Sequence, residues 1–208
     1  SQGEWYLYLR NIQGTDAPPA PPRAAGWGSQ AFWNSTGYRL DGSEGNSNVT
    51  ISSTPNSTLE YKCVERFVSP GLAAQTILET SSWTVRVSMR RNHVNQNVWP
   101  AAALYIWTPG SPGSVRGHIV TISTAAELGG TGWVTATYPI NNRAGNSVEV
   151  QTGDVLVVEV GYNYTKDQAG NVVELGFNGT SAGYYSWVKF TQELTYLTSP
   201  VVDSISPN

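Results

Sequence analysis

Between Ser82 and Arg91 the chain alternates without a break: Trp83, Val85, Val87 and Met89 on one side, Thr84, Arg86, Ser88 and Arg90 on the other. Only an extended strand turns successive side chains to opposite faces, so the run reads as a half-buried antiparallel strand. The same period recurs at Trp5–Asn11, 47–52, Thr58–Val68, Ala101–Thr108, Val115–Thr124, Trp133–Tyr138, Ser147–Val150, Val155–Tyr164, Val172–Phe177 and Trp187–Leu197. Helical periodicity is nearly absent. About ten to twelve short strands divided by turn signals predict an all-β sandwich or barrel. Val155–Val160 is apolar on both faces over much of its length, as a central strand should be. The apolar first and last runs predict that the two end strands lie inside the sheets as neighbours.

Residues 12–45 break the pattern. They are rich in Gly, Pro and Ala, with Pro18, Pro19, Pro21 and Pro22 close together. Proline fixes φ and removes a donor, so the stretch reads as an extended, polyproline-like excursion that Trp27, Phe32 and Trp33 could pin to the surface. Residues 1–198 are expected to form one domain. Residues 199–208 read as a linker; their Ser-Pro-Val-Val…Ile-Ser-Pro pattern equally resembles the opening strand of immunoglobulin-like IPT/TIG domains.

Composition narrows the function classes. Charged residues are 13% of the chain, about half the usual share of roughly 25%. Net charge is −3, which builds no field for nucleic acid or anionic lipid. No apolar run approaches the ~18 residues that span a membrane, so no membrane insertion is expected. The single cysteine, Cys63, alternates with Tyr61 and Phe67 and reads as a buried small hydrophobe.

Catalytic chemistry finds little to work with. His93 and His118 fall on separate segments with no cysteine near either, so no metal site is expected. HExxH, GxSxG, P-loop and GxGxxG patterns are absent. Glu65, Glu79, Glu149, Asp154, Glu159 and Glu174 are scattered, and no spacing selects a glycosidase-type pair. Glu159, inside an apolar strand, is expected to be a buried, arginine-paired structural group. Asp167–Asn171 lacks the oxygen ligands of a calcium loop and reads as a hairpin turn. The reading is therefore of a non-enzyme without catalytic residues or cofactors. Five Asn-x-Ser/Thr sequons begin at Asn34, Asn48, Asn56, Asn163 and Asn178; a chain rich in Asn, Ser and Thr also makes them by chance.

Aromatic residues are the leading candidates for ligand contact. Tyr105 and Trp107 alternate with Leu104 and Ile106, so one of these pairs faces away from the core. Trp27, Trp33 and Trp99 fall in loop-like stretches, where rings can offer flat apolar faces to sugars or can simply staple a loop down.

The order of certain motifs adds a resemblance. Arg66–Ala73 (RFVSPGLA) leads into Thr76–Trp83; Leu104–Pro109 (LYIWTP) and Gly153–Val160 (GDVLVVEV) follow. This order resembles the jelly-roll-like modules of phage tail-fibre and structural proteins, over most of residues 5–197. The resemblance implies a jelly-roll-like antiparallel β-sandwich in the tail fibre of a virion, outside the cell. It implies other virion tail proteins and a host cell-surface receptor, with a glycan as the candidate, as partners, and a homotrimer as the default fibre assembly. The rival expectation is a carbohydrate-binding module of a secreted or cell-surface bacterial protein.

Overall fold

The computed structural model describes residues 3–13, 26–30, 37–55, 60–133, 140, 144–165, 170–181 and 183–198. Its elements are β1 (Trp5–Gln13), β2 (Ser29–Gln30), β3 (Tyr38–Asp41), β4 (Val49–Ser53), β5 (Tyr61–Val68), β6 (Gln75–Ile77), β7 (Trp83–Arg86), β8 (Ser88–Arg91), β9 (Val98–Thr108), β10 (Ser114–Thr124), β11 (Val148–Val150), β12 (Val155–Tyr164), β13 (Val173–Phe177) and β14 (Trp187–Phe190). Among the described residues there is no helix. The expected all-β sandwich is what the chain forms, antiparallel except where β2 and β3 lie parallel to β5.

The large sheet runs β10-β9-β12-β5-β3-β1-β14-β7, with β2 beside the first half of β5. A three-stranded sheet, β4-β13-β8, faces it, and β6 pairs with β11 in a short ribbon. β7 and β8 are the single alternating run of the sequence, divided at Val87. Its first half bonds to β14 and its second half to β13, so one run of chain serves both sheets. Trp83, Val85, Val87 and Met89 all point into the core as the alternation predicts.

That core is one contiguous apolar cluster. Leu7 and Leu9, Leu104 and Ile106, Leu156, Val158 and Val160 meet Val173, Leu175 and Phe177 across the sandwich. Phe67 and Phe177 contact edge to face at 5.1 Å between centroids, with Tyr38 beside both. Such geometries favour the ring quadrupoles as well as removing apolar area from water.

The end strands are neighbours, as expected. β1 pairs antiparallel with β14, with Trp5 opposite Phe190 and Tyr8 opposite Trp187. β12 is central, between β5 and β9, and both its faces are buried. Its outer face joins a second apolar cluster of Cys63, Val68, Ala101, Ala103, Tyr105, Trp107, Val155 and Val157, capped by Trp27.

The excursion at 12–45 is not uniformly polyproline-like, since it contains β2 and β3. Tyr38–Asp41 bonds to β1 on one side and β5 on the other, filling a place in the sheet that alternation over four residues was too short to signal. The expected strand Trp133–Tyr138 and turn at 166–171 fall mostly outside the described residues, and the 199–208 linker does so entirely.

Candidate functional site

The chemistry-bearing side chains gather in two places, one sealed and one at the surface. The sealed group lies in the second apolar cluster. Glu159 is fully buried there, accepting from the Trp27 indole Nε1–H at 2.6 Å and from the Tyr105 hydroxyl. Arg66 stands opposite Glu159 in register on β5. Burial pushes the Glu159 carboxyl up to about 7, against the pull of the Tyr105 and Trp27 bonds and of the Arg66 charge. The expectation of an arginine-paired acid is thus partly met: Arg66 acts through its field, while the two aromatic donors bind the oxygens.

The same cluster settles several candidates. Cys63 is buried and its thiol is held well above its ordinary value by desolvation, so it is no nucleophile at neutral pH. His118, half-buried, lies 5.8 Å from the Tyr105 ring, and burial lowers its pKa. Glu65, also fully buried, stands opposite Val160, which belongs to the main core, so it and Glu159 face opposite sides of the sheet. They do not flank a common cleft. Asp154 is held by Arg116, Thr108 and the Gln151 N–H; Glu149 by Thr76; Glu174 by Arg90.

Three of the five candidate ligand-binding aromatics are therefore corrected. Tyr105 and Trp107 do turn away from the main core, but the outer face of β9 and β12 is itself covered, leaving Tyr105 fully buried and Trp107 8% exposed. Trp27 is 6% exposed and caps that face, which is the stapling role. Trp99 is half-buried on β9, and Trp33 lies outside the described residues. Among the sequons, Asn163 sits inside central strand β12 and Asn178 is buried and bonded by Arg10, Asn11 and Ser47. Both are structural residues. Asn48 is exposed.

The surface group was not anticipated. On the outer side of β1, β14 and β7, register places Tyr8, Trp187 and Arg86 in one row, and Tyr6, Lys189 and Thr84 in the next. Tyr6 stacks on Tyr8 at 6.1 Å and meets Trp187 edge-on at 5.3 Å. Tyr185, just before β14, packs 6.0 Å from Tyr8 and 6.5 Å from Trp187. The Arg86 guanidinium lies 4.9 Å over the Tyr185 ring, and the Lys189 ammonium 5.9 Å from Trp187. Tyr185 donates its hydroxyl hydrogen to Glu44 at 3.1 Å, and Tyr6 reaches Glu4 at 3.4 Å. Tyr6 and Tyr185 are half-buried, whereas Trp187 beneath them is 7% exposed. The buried Trp187 Nε1–H meets no acceptor among the described residues.

The signal was present in the sequence. Tyr6 and Tyr8 alternate with Leu7 and Leu9, and Trp187 and Lys189 with Val188 and Phe190. What alternation leaves open is that the two runs are partners, which puts their polar-side rings together.

Comparisons with known proteins leave the family open. No protein-family model matches the chain, and no curated protein does. Among solved structures, an infectious bursal disease virus Gt strain structure aligns at 12% identity over 76% of this chain and 37% of its own, with TM-score 0.34. A CocE/NonD family hydrolase from Staphylococcus aureus, SACOL2612, aligns at 9% identity over 92% and 35%, with TM-score 0.31. A Gx strain structure of the same virus aligns at 12% over 74% and 37%, with TM-score 0.27. This chain thus spans little more than a third of each of these chains.

Proposed function

We propose that this chain is a non-enzymatic structural and adhesion module of a phage tail fibre, contributing to attachment of the virion to its host cell surface. The motif order from Arg66 to Val160 supports the family side of this reading. The observation that supports the adhesion side is the outer face of β1, β14 and β7, where half-buried Tyr6 and Tyr185 join Tyr8 and Trp187 in one aromatic surface.

In this reading the module works beside other tail proteins, within a trimeric fibre, on a receptor that includes a glycan. The outer aromatic face would serve a secreted carbohydrate-binding module equally well, which is the second reading. Immunogold electron microscopy with an antibody against the chain separates the two. Gold on tail fibres or the tail tip is the expected result. Antigen in the medium or on cell walls, with bare particles, overturns the phage assignment and leaves the carbohydrate-binding module.

A further inference from the structure

The outer face of β1, β14 and β7 has three properties that seldom coincide on a sheet that only faces water. Two half-buried rings, Tyr6 and Tyr185, stand over two covered ones, Tyr8 and Trp187. The covered Trp187 side chain is more than nine-tenths buried, yet its indole N–H has no acceptor among the described residues. That donor is sealed from solvent, so a ligand oxygen reaches it only when a covering ring swings aside, and the unmade bond, which is costly to leave buried, favours that exchange. Finally, the rim holds both signs of charge: Glu4 and Glu44 on the tyrosine hydroxyls, and Lys189 near Trp187 and 3.7 Å from Glu4, while Arg86 is buried against the Tyr185 ring.

We propose that this face is a binding site for neutral saccharides, with Tyr6 and Tyr185 receiving the apolar face of a pyranose ring and the Trp187 indole N–H donating to one of its oxygens. Each feature matches that chemistry. A pyranose offers C–H groups to a ring face and hydroxyls around its edge, which donate to the Glu4 and Glu44 carboxylates and accept from the Lys189 ammonium. The mixed rim sets up no field of one sign, which argues against a polyanion or polycation. Tyr6, Tyr8, Trp187 and Arg86 stand on paired strands, so the site is held in place before the ligand arrives. The site deepens the adhesion half of the function proposed above and rests on that reading.

The test uses the whole chain in affinity electrophoresis through gels containing neutral hexose polysaccharides (an α-glucan, a β-glucan, a mannan, a galactan) or acidic ones. Tyr6→Ala, Tyr185→Ala and the control Tyr184→Ala, whose ring packs on Trp133 away from this face, are run beside it. All are matched for fold by circular dichroism. A second readout is the Trp187 indole N–H resonance, assigned with Trp187→Phe. Expected are retention by at least one neutral polysaccharide, a loss of about tenfold or more in affinity for Tyr6→Ala and Tyr185→Ala, no loss for Tyr184→Ala, and a shift of the Trp187 signal on binding. Retention by acidic polymers alone, no retention at all, or retention that Tyr6→Ala and Tyr185→Ala leave intact each overturns the site. So does self-association in sedimentation that Tyr6→Ala abolishes, which would identify a protein interface. None of these results moves the gold label on particles. A labelled fibre whose module ignores saccharides removes the site alone, and a saccharide-binding chain found off the particle removes the virion reading alone.

Discussion

The Trp27 Nε1–H and the Glu159 Oε2 acceptor meet at 2.6 Å although 132 residues separate them in the chain. That bond ties the excursion after β1 to the middle of the central strand β12. Trp27→Phe keeps the ring and removes the donor. A hydrogen bond contributes about 0.5–1.5 kcal/mol to a neutral acid and about 1.5–3 kcal/mol to a charged one, so urea denaturation of the variant above pH 7, where Glu159 is ionised, should show a loss of the larger order. A loss under about 0.5 kcal/mol would mean that the ring alone holds the segment.

Glu159 also sets a pH dependence. Its carboxyl titrates near 7 in the fold and, unfolded, near the ordinary 4.5. Below 4.5 both states hold the proton and the acid costs nothing. Between 4.5 and 7 the unfolded chain releases the proton while the folded chain keeps it, so stability falls as pH rises, by about 3 kcal/mol in all, and levels off above 7. Glu159→Gln should flatten this limb in denaturation curves taken between pH 4 and 8. A variant with an unchanged slope would assign the limb to another group.

Asp154 works in the opposite sense. Burial alone would raise its pKa, but Arg116, the Gln151 N–H and Thr108 together hold it below the ordinary value. Its stabilisation is present above the unfolded pKa and is lost as pH falls through the depressed folded value. Asp154→Asn should therefore weaken the fold at neutral pH and reduce the dependence on pH at the acid end. Acid titration followed by tryptophan fluorescence measures both.

Asn178 has φ of 64°, a left-handed conformation that costs a side chain roughly 1–2 kcal/mol. Its amide offsets that cost by accepting from Arg10 and the Asn11 N–H and donating to Ser47. Asn178→Gly loses the bonds but relieves the backbone; Asn178→Ala loses both. Thermal unfolding should rank wild type above Gly and Gly above Ala, the last two separated by about 1 kcal/mol. Ala equal to Gly would place the whole effect in the side-chain bonds.

Gly161 lies opposite Cys63 where β5 bulges against β12. A Cβ there would sit far inside contact distance of the Lys62 carbonyl oxygen and close on Cys63 Cα, both backbone atoms that cannot swing aside. Gly161→Ala should cost more than about 2 kcal/mol, well beyond the change expected for an open position such as Gly145. Paired chemical denaturation of the two alanine variants decides it.

Alternation makes the strands legible where one face is wet and the run exceeds about five residues, as at Ser82–Arg91 and Trp187–Leu197, although the latter is a strand only over Trp187–Phe190. It was silent at Tyr38–Asp41, which is four residues long and owes its place to the neighbours β1 and β5. The candidate sites were read less well, because alternation gives the side of a strand but not what covers that side. Alternation says that one of the pairs Tyr105/Trp107 and Leu104/Ile106 turns from the main core; it is Tyr105 and Trp107, yet Trp27 closes over that face from far away in sequence. Tyr6 and Trp187 escaped notice for the converse reason: each looks ordinary in its own strand, and only the pairing of β1 with β14 makes them one surface.

That same pairing governs how the chain must fold. β1 lies between β3 and β14, and its contact with β14 brings residue 5 to residue 190. Loop closure of that length is deferred until most of the intervening chain has collapsed, so the zipping of first strand to last belongs late in folding. On the ribosome Leu7 and Leu9 would emerge with only β3 available as a partner, and the edge awaiting β14 would stay open until synthesis reached Trp187. The outer aromatic face is then assembled at that final step, so only a completely folded chain presents it.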